Sequence, residues 1–456
     1  MKRLALAIGC FAVLSAPAVV RAQLAGQGIA SLYGGPVHSE GPGIKISDSL
    51  VLHPGIQIGA GFDSNLFAAA SGAIGAAYFM ARPHLALSTL PPQRLGDSPR
   101  TLEFRLHLAA GLRLPFALGG ANQSEILKNN YSVDVDGGIA LSFFPRGAYA
   151  FDILANYART SQLPWAISSN RSNINRDNAR LALGLKLRPG GRRFEILIQY
   201  VPGLSMFESP TISGERGYTE KNLVTNDIQL RLAWKFFPKT ALYLNAHESI
   251  QTYVSPGCST PPNSYPVRAV LGMIGLITTK LSVDVNVGYG NTLIPSGNAA
   301  GNCGYDAATD HKVVASLVVN WRPTLLTNLQ LGFRQDFGPA LVGRYYDFSS
   351  PYLFAVQQIW RLQLGARLSY EYRKYSGRLA PDGLSSGANG IGERADHILA
   401  LHTQLDLPIK DYLFVGVGYD LTFNKADNCG IRGGGGGAEP CNYLRNDVWL
   451  RLGVAY

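Results

Sequence analysis

Charge is scarce in this chain, and so is unbroken apolar sequence. Asp, Glu, Lys and Arg make up 16% of its 456 residues, against about 25% in soluble domains. Past residue 22 no stretch nears the roughly twenty consecutive apolar residues that a spanning helix needs, which excludes a helical membrane protein. The formal net charge is +10, yet the basic residues form no cluster, so nucleic acid is excluded as a partner. Cysteine is sparse too: five in all, none in a C-x-x-C pair. No set of His, Cys and carboxylates has metal-ligand spacing, so no metal and no cofactor is expected.

Catalytic motifs are equally thin. Gly383-Leu384-Ser385-Ser386-Gly387 fits G-x-S-x-G, but that pattern acts only on a strand-turn-helix elbow, and here it lies in a Gly-rich loop. Gly433 to Gly437 has no helix and no Lys-Ser/Thr behind it, so it is a loop tip and not a phosphate cradle. His107, His247 and His402 could approach one another in a lumen, but their segments are far apart in the chain, and polar lumen lining is the favoured reading. The chain is not expected to be an enzyme.

What is abundant is alternation. Leu281-Ser282-Val283-Asp284-Val285-Asn286-Val287-Gly288-Tyr289 sets apolar groups on one face and polar ones on the other, because successive strand side chains point oppositely. Residues 102–114, 228–236, 329–333 and 362–372 repeat the pattern. Segments of about ten such residues are what a tilted strand needs to cross a bilayer. Length alone suggests two or three soluble domains, but closed barrels reach this size as one unit.

The punctuation is regular. Phe144-Pro145-Arg146-Gly147, Arg188-Pro189-Gly190-Gly191, Phe237-Pro238-Lys239, Arg322-Pro323-Thr324 and Leu407-Pro408-Ile409-Lys410-Asp411 read as tight turns, as do Thr279-Lys280 and Trp360-Arg361. Residues 91–99 form a longer one. The alternate connections are long and polar: 63–71, 117–127, 161–172, 207–221, 255–265, 292–309, 338–344, 376–393 and 424–444. One strand near 50–62, eight hairpins and a last strand at 447–456 predict an all-β, transmembrane antiparallel barrel of about eighteen strands. Short turns would be periplasmic, long loops extracellular and both termini periplasmic, in the outer membrane of a Gram-negative bacterium.

Residues 1–22 carry a Lys2-Arg3 head, an apolar run from Leu4 and small residues ending at Ala22, the layout of a cleaved secretory leader. Residues 23–49, Gly-rich and without alternation, read as a periplasmic extension, and 50–456 as the barrel. Val448 to Tyr456 alternates and ends on an aromatic residue, the signal that the barrel-assembly machinery reads. Trp234, Trp321, Trp360, Phe143, Phe236 and Phe237 fall beside short turns. Tyr157, Tyr200, Tyr253, Tyr289 and Tyr375 fall at the other strand ends, so two aromatic girdles are expected. Outer-membrane lipid and lipopolysaccharide are then natural partners.

The polar faces hold the candidate site. Arg105, Arg113, Arg180, Lys186, Arg231, Lys235, Arg334, Arg367, Arg373, Asp284 and Glu371 are expected to line a water-filled lumen. Most should form a lattice of ion pairs; surplus guanidiniums would weakly hold an anionic chain. Cys258, Cys303, Cys429 and Cys441 remain after the leader, and an even number in an exported chain favours disulfides. Cys258–Cys303 with Cys429–Cys441 is the simplest of three pairings.

With a barrel argued, Pro54 through Gly61-Phe62-Asp63-Ser64-Asn65-Leu66-Phe67 resembles the opening strand of the beta-barrel porin-2 family, P-x6-G-Y-D-x-N-[VIL]-[FY]. Polar strand starts such as Asn175-Arg176-Asp177-Asn178, Asn226-Asp227 and Arg394-Ala395-Asp396-His397 are similar to that family's habits. Phe62 stands at its tyrosine position, and the four loop cysteines are not part of its pattern. The resemblance implies a porin associated with exopolysaccharide export, working beside a periplasmic polysaccharide export protein; the surplus lumenal guanidiniums point to an anionic polysaccharide. A porin for small nutrients and an adhesive barrel with a blocked lumen are the alternatives.

Overall fold

The computed structural model describes residues 43–47, 49–70, 72–89, 101–118, 126–128, 130–162, 174–208, 219–254, 263–295, 297–299, 303–305, 310–340, 345–376, 394–427 and 442–456. Eighteen long strands form one closed antiparallel barrel. In chain order they are β1 Leu50–Asp63, β2 Ala76–Thr89, β3 Leu102–Phe116, β4 Ser132–Phe143, β5 Tyr149–Gln162 and β6 Ile174–Leu187. Next come β7 Phe194–Phe207, β8 Leu223–Phe237, β9 Thr240–Tyr253, β10 Val267–Leu276, β11 Leu281–Asn291 and β12 His311–Thr324. The last six are β13 Thr327–Pro339, β14 Tyr345–Ile359, β15 Leu362–Ser376, β16 Ala395–Lys410, β17 Leu413–Asp427 and β18 Tyr443–Ala455. Each pairs with its sequence neighbour, and β18 closes on β1 from Gly55↔Ala455 to Asp63↔Asp447. Ile44–Lys45 folds back onto Leu52 and Val51, and Gly297–Ala299 pairs with Cys303–Tyr305 within one long loop.

The alternation works as the sequence predicts. On β18, Leu444, Val448, Leu450, Leu452 and Val454 are 39–57% exposed, while Arg445, Asp447, Trp449 and Arg451 between them are at most 7% exposed. Apolar groups face out and polar groups face in, the inverse of a soluble sheet's preference and the arrangement that hydrocarbon imposes.

Two expected turns shift. Arg322-Pro323 and Leu407-Pro408 belong to strands, and the chain reverses at Leu325-Leu326 and at Asp411-Tyr412. The ladder slips between Trp321 and Thr324 and between Pro408 and Lys410. Proline has no N–H to give the ladder, and a local slip accommodates it without ending the strand.

The short-turn girdle is present: Trp234, Trp321, Trp360 and Phe237 are exposed, and Phe143 and Phe236 are half-buried. At the long-loop end Tyr157, Tyr200 and Tyr289 are exposed, but Tyr253 and Tyr375 are buried. They are corrections to the expected girdle. Each shares strand parity with lumenal groups, Tyr253 with His247 and Ser249, Tyr375 with Glu371 and Arg373, and therefore points inward.

The outward tyrosines are part of a repeated device. Tyr157, Tyr200, Tyr289, Tyr370 and Tyr419 hydrogen-bond Asp177, Asn226, His311, His397 and Asn446, respectively, at 2.6–2.8 Å. In all five the partner lies on the next strand, two residues before the tyrosine's own register partner. Diagonal neighbours at that offset are within reach of a long side chain. The polar strand starts of the sequence thus include the anchors of the tyrosine ring.

Candidate functional site: the lumenal wall

Inside the barrel, aromatic rings are laid over glycines. Gly61 faces Tyr78, Gly272 faces Tyr243, Gly332 faces Tyr352, Gly418 faces Trp449 and Gly453 faces Phe414 as direct cross-strand partners. A Cβ on any of these glycines would sit 2.0–2.4 Å from the ring. The bare backbone lets the ring cover the wall, which shields the ladder and keeps the ring out of the water path.

Each ring in turn carries a guanidinium. Arg113 stands 3.6 Å from the centroid of Tyr78, Arg231 4.4 Å from Tyr243, Arg367 5.3 Å from Tyr352, and Arg451 4.9 Å from Trp449 and 5.4 Å from Phe414. Arg113, Arg231 and Arg367 occupy the same position, two residues before the tyrosine's partner on the far neighbouring strand. Each ring therefore has bare backbone on one side and a guanidinium on the other.

Most of the charge is paired. Lys186 holds Asp152 at 2.7 Å, Arg334 holds Asp336 at 2.6 Å, and Arg373 bonds Glu371. Asp284 accepts from the Tyr243 hydroxyl at 2.7 Å. Arg180 lies within electrostatic reach of Asp227. Arg105 and Lys235 are exposed toward the short-turn end. Arg231 and Arg367 are the exceptions that matter. Neither has a carboxylate partner among the described residues, and Arg231 Nε has no hydrogen-bond partner there either.

The histidines stay apart. His107 sits 3.8 Å from Asp136 and His247 3.7 Å from Asp227, and His402 bonds Asp420. Three separate acids hold them on three strands, and no metal-ligating group of three occurs among the described residues. Cys258, Cys429 and Cys441 lie outside the described residues, as do 383–387 and 433–437, and of Cys303 only the backbone is described.

The long-loop end of the lumen is crowded. Arg268 of β10 reaches Asp336 Oδ1 of β13 at 2.8 Å and the Phe337 carbonyl at 2.6 Å. Phe337 packs with Val270 and Val314 above Gly290, where a Cβ would meet it at 2.5 Å. A bridge across two intervening strands means that the wall folds into a corner there. Arg176 of β6 lies within electrostatic reach of Tyr253 and of Tyr346 on β14, eight strands away round the ring.

At the seam, Asp63 of β1 accepts from Arg445 of β18 and from Arg113 of β3, and Asp447 accepts from Tyr78 at 2.6 Å. Asp63 and Asn65, the Asp and Asn of the opening-strand motif, are 0% and 2% exposed. Asn65 Nδ2 donates to the Ala69 and Leu444 carbonyls. The motif is thus the barrel's closing clasp.

No family model matches the chain, and no curated protein does. Among solved structures it is similar to Acinetobacter baumannii OccAB4, at 10% identity and TM-score 0.46 over 89% of this chain and 98% of that one. Pseudomonas aeruginosa OprD aligns at 10% identity and TM-score 0.39 over 92% and 99% of the two chains. The siderophore receptor PirA of Pseudomonas aeruginosa aligns at 9% and 0.39 over 91% and 81%. Likeness at that level is silent on cargo.

Sequence reading missed Arg445, Arg268 and Asp336. Arg445-Asn446-Asp447 repeats the Arg-x-Asp string of Arg394-Ala395-Asp396, whose guanidinium grips its carboxylate through two bonds of 2.8 Å. That repetition was the available signal.

Proposed function

We propose that the chain is an outer-membrane porin of a Gram-negative bacterium, a passive conduit whose cargo is an exported acidic polysaccharide. The apolar outer face and the aromatic ends support the membrane. The observation that carries the cargo class is the pair Arg231 and Arg367, lumenal guanidiniums without a carboxylate of their own. Guanidinium edges bind carboxylates and hydroxyls, and several weak holds suit passage better than one strong site. The first long strand begins and the last one ends at the short-turn end, and a periplasmic export protein would meet the barrel there.

Deleting the gene tests this reading. Secretion of acidic polysaccharide should fall and return on complementation, while undiminished secretion sinks the cargo assignment. The crowded long-loop end favours a second reading, a porin for small acids, which predicts instead that the deletion strain grows poorly on one such acid.

A further inference from the structure

On the β18–β1–β5 side the lumenal wall forms a recess with room for roughly five to eight waters, about the bulk of one sugar ring. Its rim is the loop after β1, where Leu66, Phe67 and Ile74 pack with Leu127 into an apolar shelf. Leu66 and Trp449 line the recess beside Gln57, Ser132, Asp134 and Arg451.

Hydrogen-bonding capacity is left over in that space. Arg451 is 3% exposed and committed to Asp406, which its Nη2 grips at 2.8 and 2.9 Å. Asp134 accepts from the Ser161 backbone through Oδ1 alone. Gln57 and Ser132, each 8% exposed, make no side-chain hydrogen bond among the described residues. Donors and acceptors both remain, and burial makes leaving them unmatched costly.

The charge is balanced. Arg82 pairs with Asp136, Arg113 and Arg445 with Asp63 and Asp447, and Arg451 with Asp406. A free anion would meet no uncompensated cation and would face Asp134. A neutral hydroxylated ring matches better, since each hydroxyl both donates and accepts and its C–H face suits the apolar shelf at Leu66.

We propose that this recess is a binding subsite for one neutral pyranose unit, a station on the wall that rests on the saccharide reading above. Gly111 gives a clean handle, because an added Cβ points into the space and meets only Asp134 atoms at 3.7 and 3.8 Å.

The test uses the purified full barrel in planar bilayers, titrated separately with glucose, galactose and mannose, with acetate and inorganic phosphate as anions. At least one hexose should interrupt the current saturably. Gly111→Leu should weaken that binding by about tenfold or more, and Asp134→Asn by about threefold to tenfold, the worth of one hydrogen bond. Heat-modifiable gel mobility checks that each variant folds, and Gln57→Leu repeats the test from another strand. The proposal fails if no hexose binds saturably, if the folded recess variants bind like wild type, or if acetate or phosphate displaces the sugar at equal concentration. Hexose binding lost in Gly111→Leu, alongside normal secretion in the deletion strain, would retain the subsite and reject export; unchanged binding with lost secretion would do the reverse.

Discussion

Arg445 Nη2 lies 2.6 Å from Asp63 Oδ2, and this bond joins the last strand of the barrel to the first. Both side chains are buried, at 8% and 0% exposure, so the pair is isolated from water. Among the described residues, removing Arg445 leaves Asp63 with Arg113 alone as its cation, and removing Asp63 leaves Arg445 with only Asp447 at 3.8 Å, so each loss should cost up to about 3–5 kcal/mol. Asp63→Ala and Arg445→Ala should each lower the temperature at which the folded band disappears on unboiled gels. The double variant should be less damaged than the sum of the two, and strict additivity would show that the pair does not hold the seam.

A second expectation concerns the rings on glycine. A Cβ at Gly332 would lie 2.1 Å from Tyr352, and the ring could not remain beneath Arg367. Overpacking of this kind costs about 1–3 kcal/mol. Gly332→Ala should therefore unfold at lower urea in lipid vesicles, whereas Gly111→Ala, with open space above it, should match wild type. Equal stability of the two variants would remove the close approach as an explanation for glycine at these positions.

How far these relationships could be read in advance depends on what fixes them. Strand number and facing follow from a period of two within each segment, so β11 and β18 were legible from their own residues. Cross-strand partners depend on register, which is set by turn lengths and by slips such as those at Pro323 and Pro408. That is why Arg231 and Arg334 looked alike in sequence, although one stacks on Tyr243 and the other holds Asp336. Tyr253 and Tyr375 were placed by their position at strand ends, whereas their parity with His247, Ser249, Glu371 and Arg373 turns them inward. Arg268 to Asp336 spans three strand steps, and nothing local in either segment announces it.

The diagonal tyrosine ring leads to a third expectation. Tyr370 donates to or accepts from His397 Nδ1 at 2.7 Å on the outward face, where a membrane interface would place it. Tyr370→Phe keeps the ring and removes one hydrogen bond, worth about 0.5–1.5 kcal/mol. Unfolding in lipid vesicles should shift by that amount, and His397→Ala should shift it similarly without adding to it. Additive losses would mean that the two side chains act separately.

The final expectation addresses the lumenal cations. Arg231 and Arg367 stand on β8 and β15, seven strands apart in the ring. Each lacks a carboxylate partner among the described residues, and reversing their sign breaks no ion pair there. Arg231→Glu with Arg367→Glu changes the lumenal charge by four units by that arithmetic, two positive charges becoming two negative ones. In a narrow low-dielectric lumen such a change should turn an anion preference into a cation preference. The reversal potential across a tenfold potassium chloride gradient should then change sign, an effect expected to shrink as salt screens the pore. Arg334→Glu, by contrast, would set a carboxylate beside Asp336, already held by Arg268, and should cost stability more than selectivity. If the double variant keeps the wild-type reversal potential, these two guanidiniums do not face the ion path, and the acidic cargo loses the observation on which it rests.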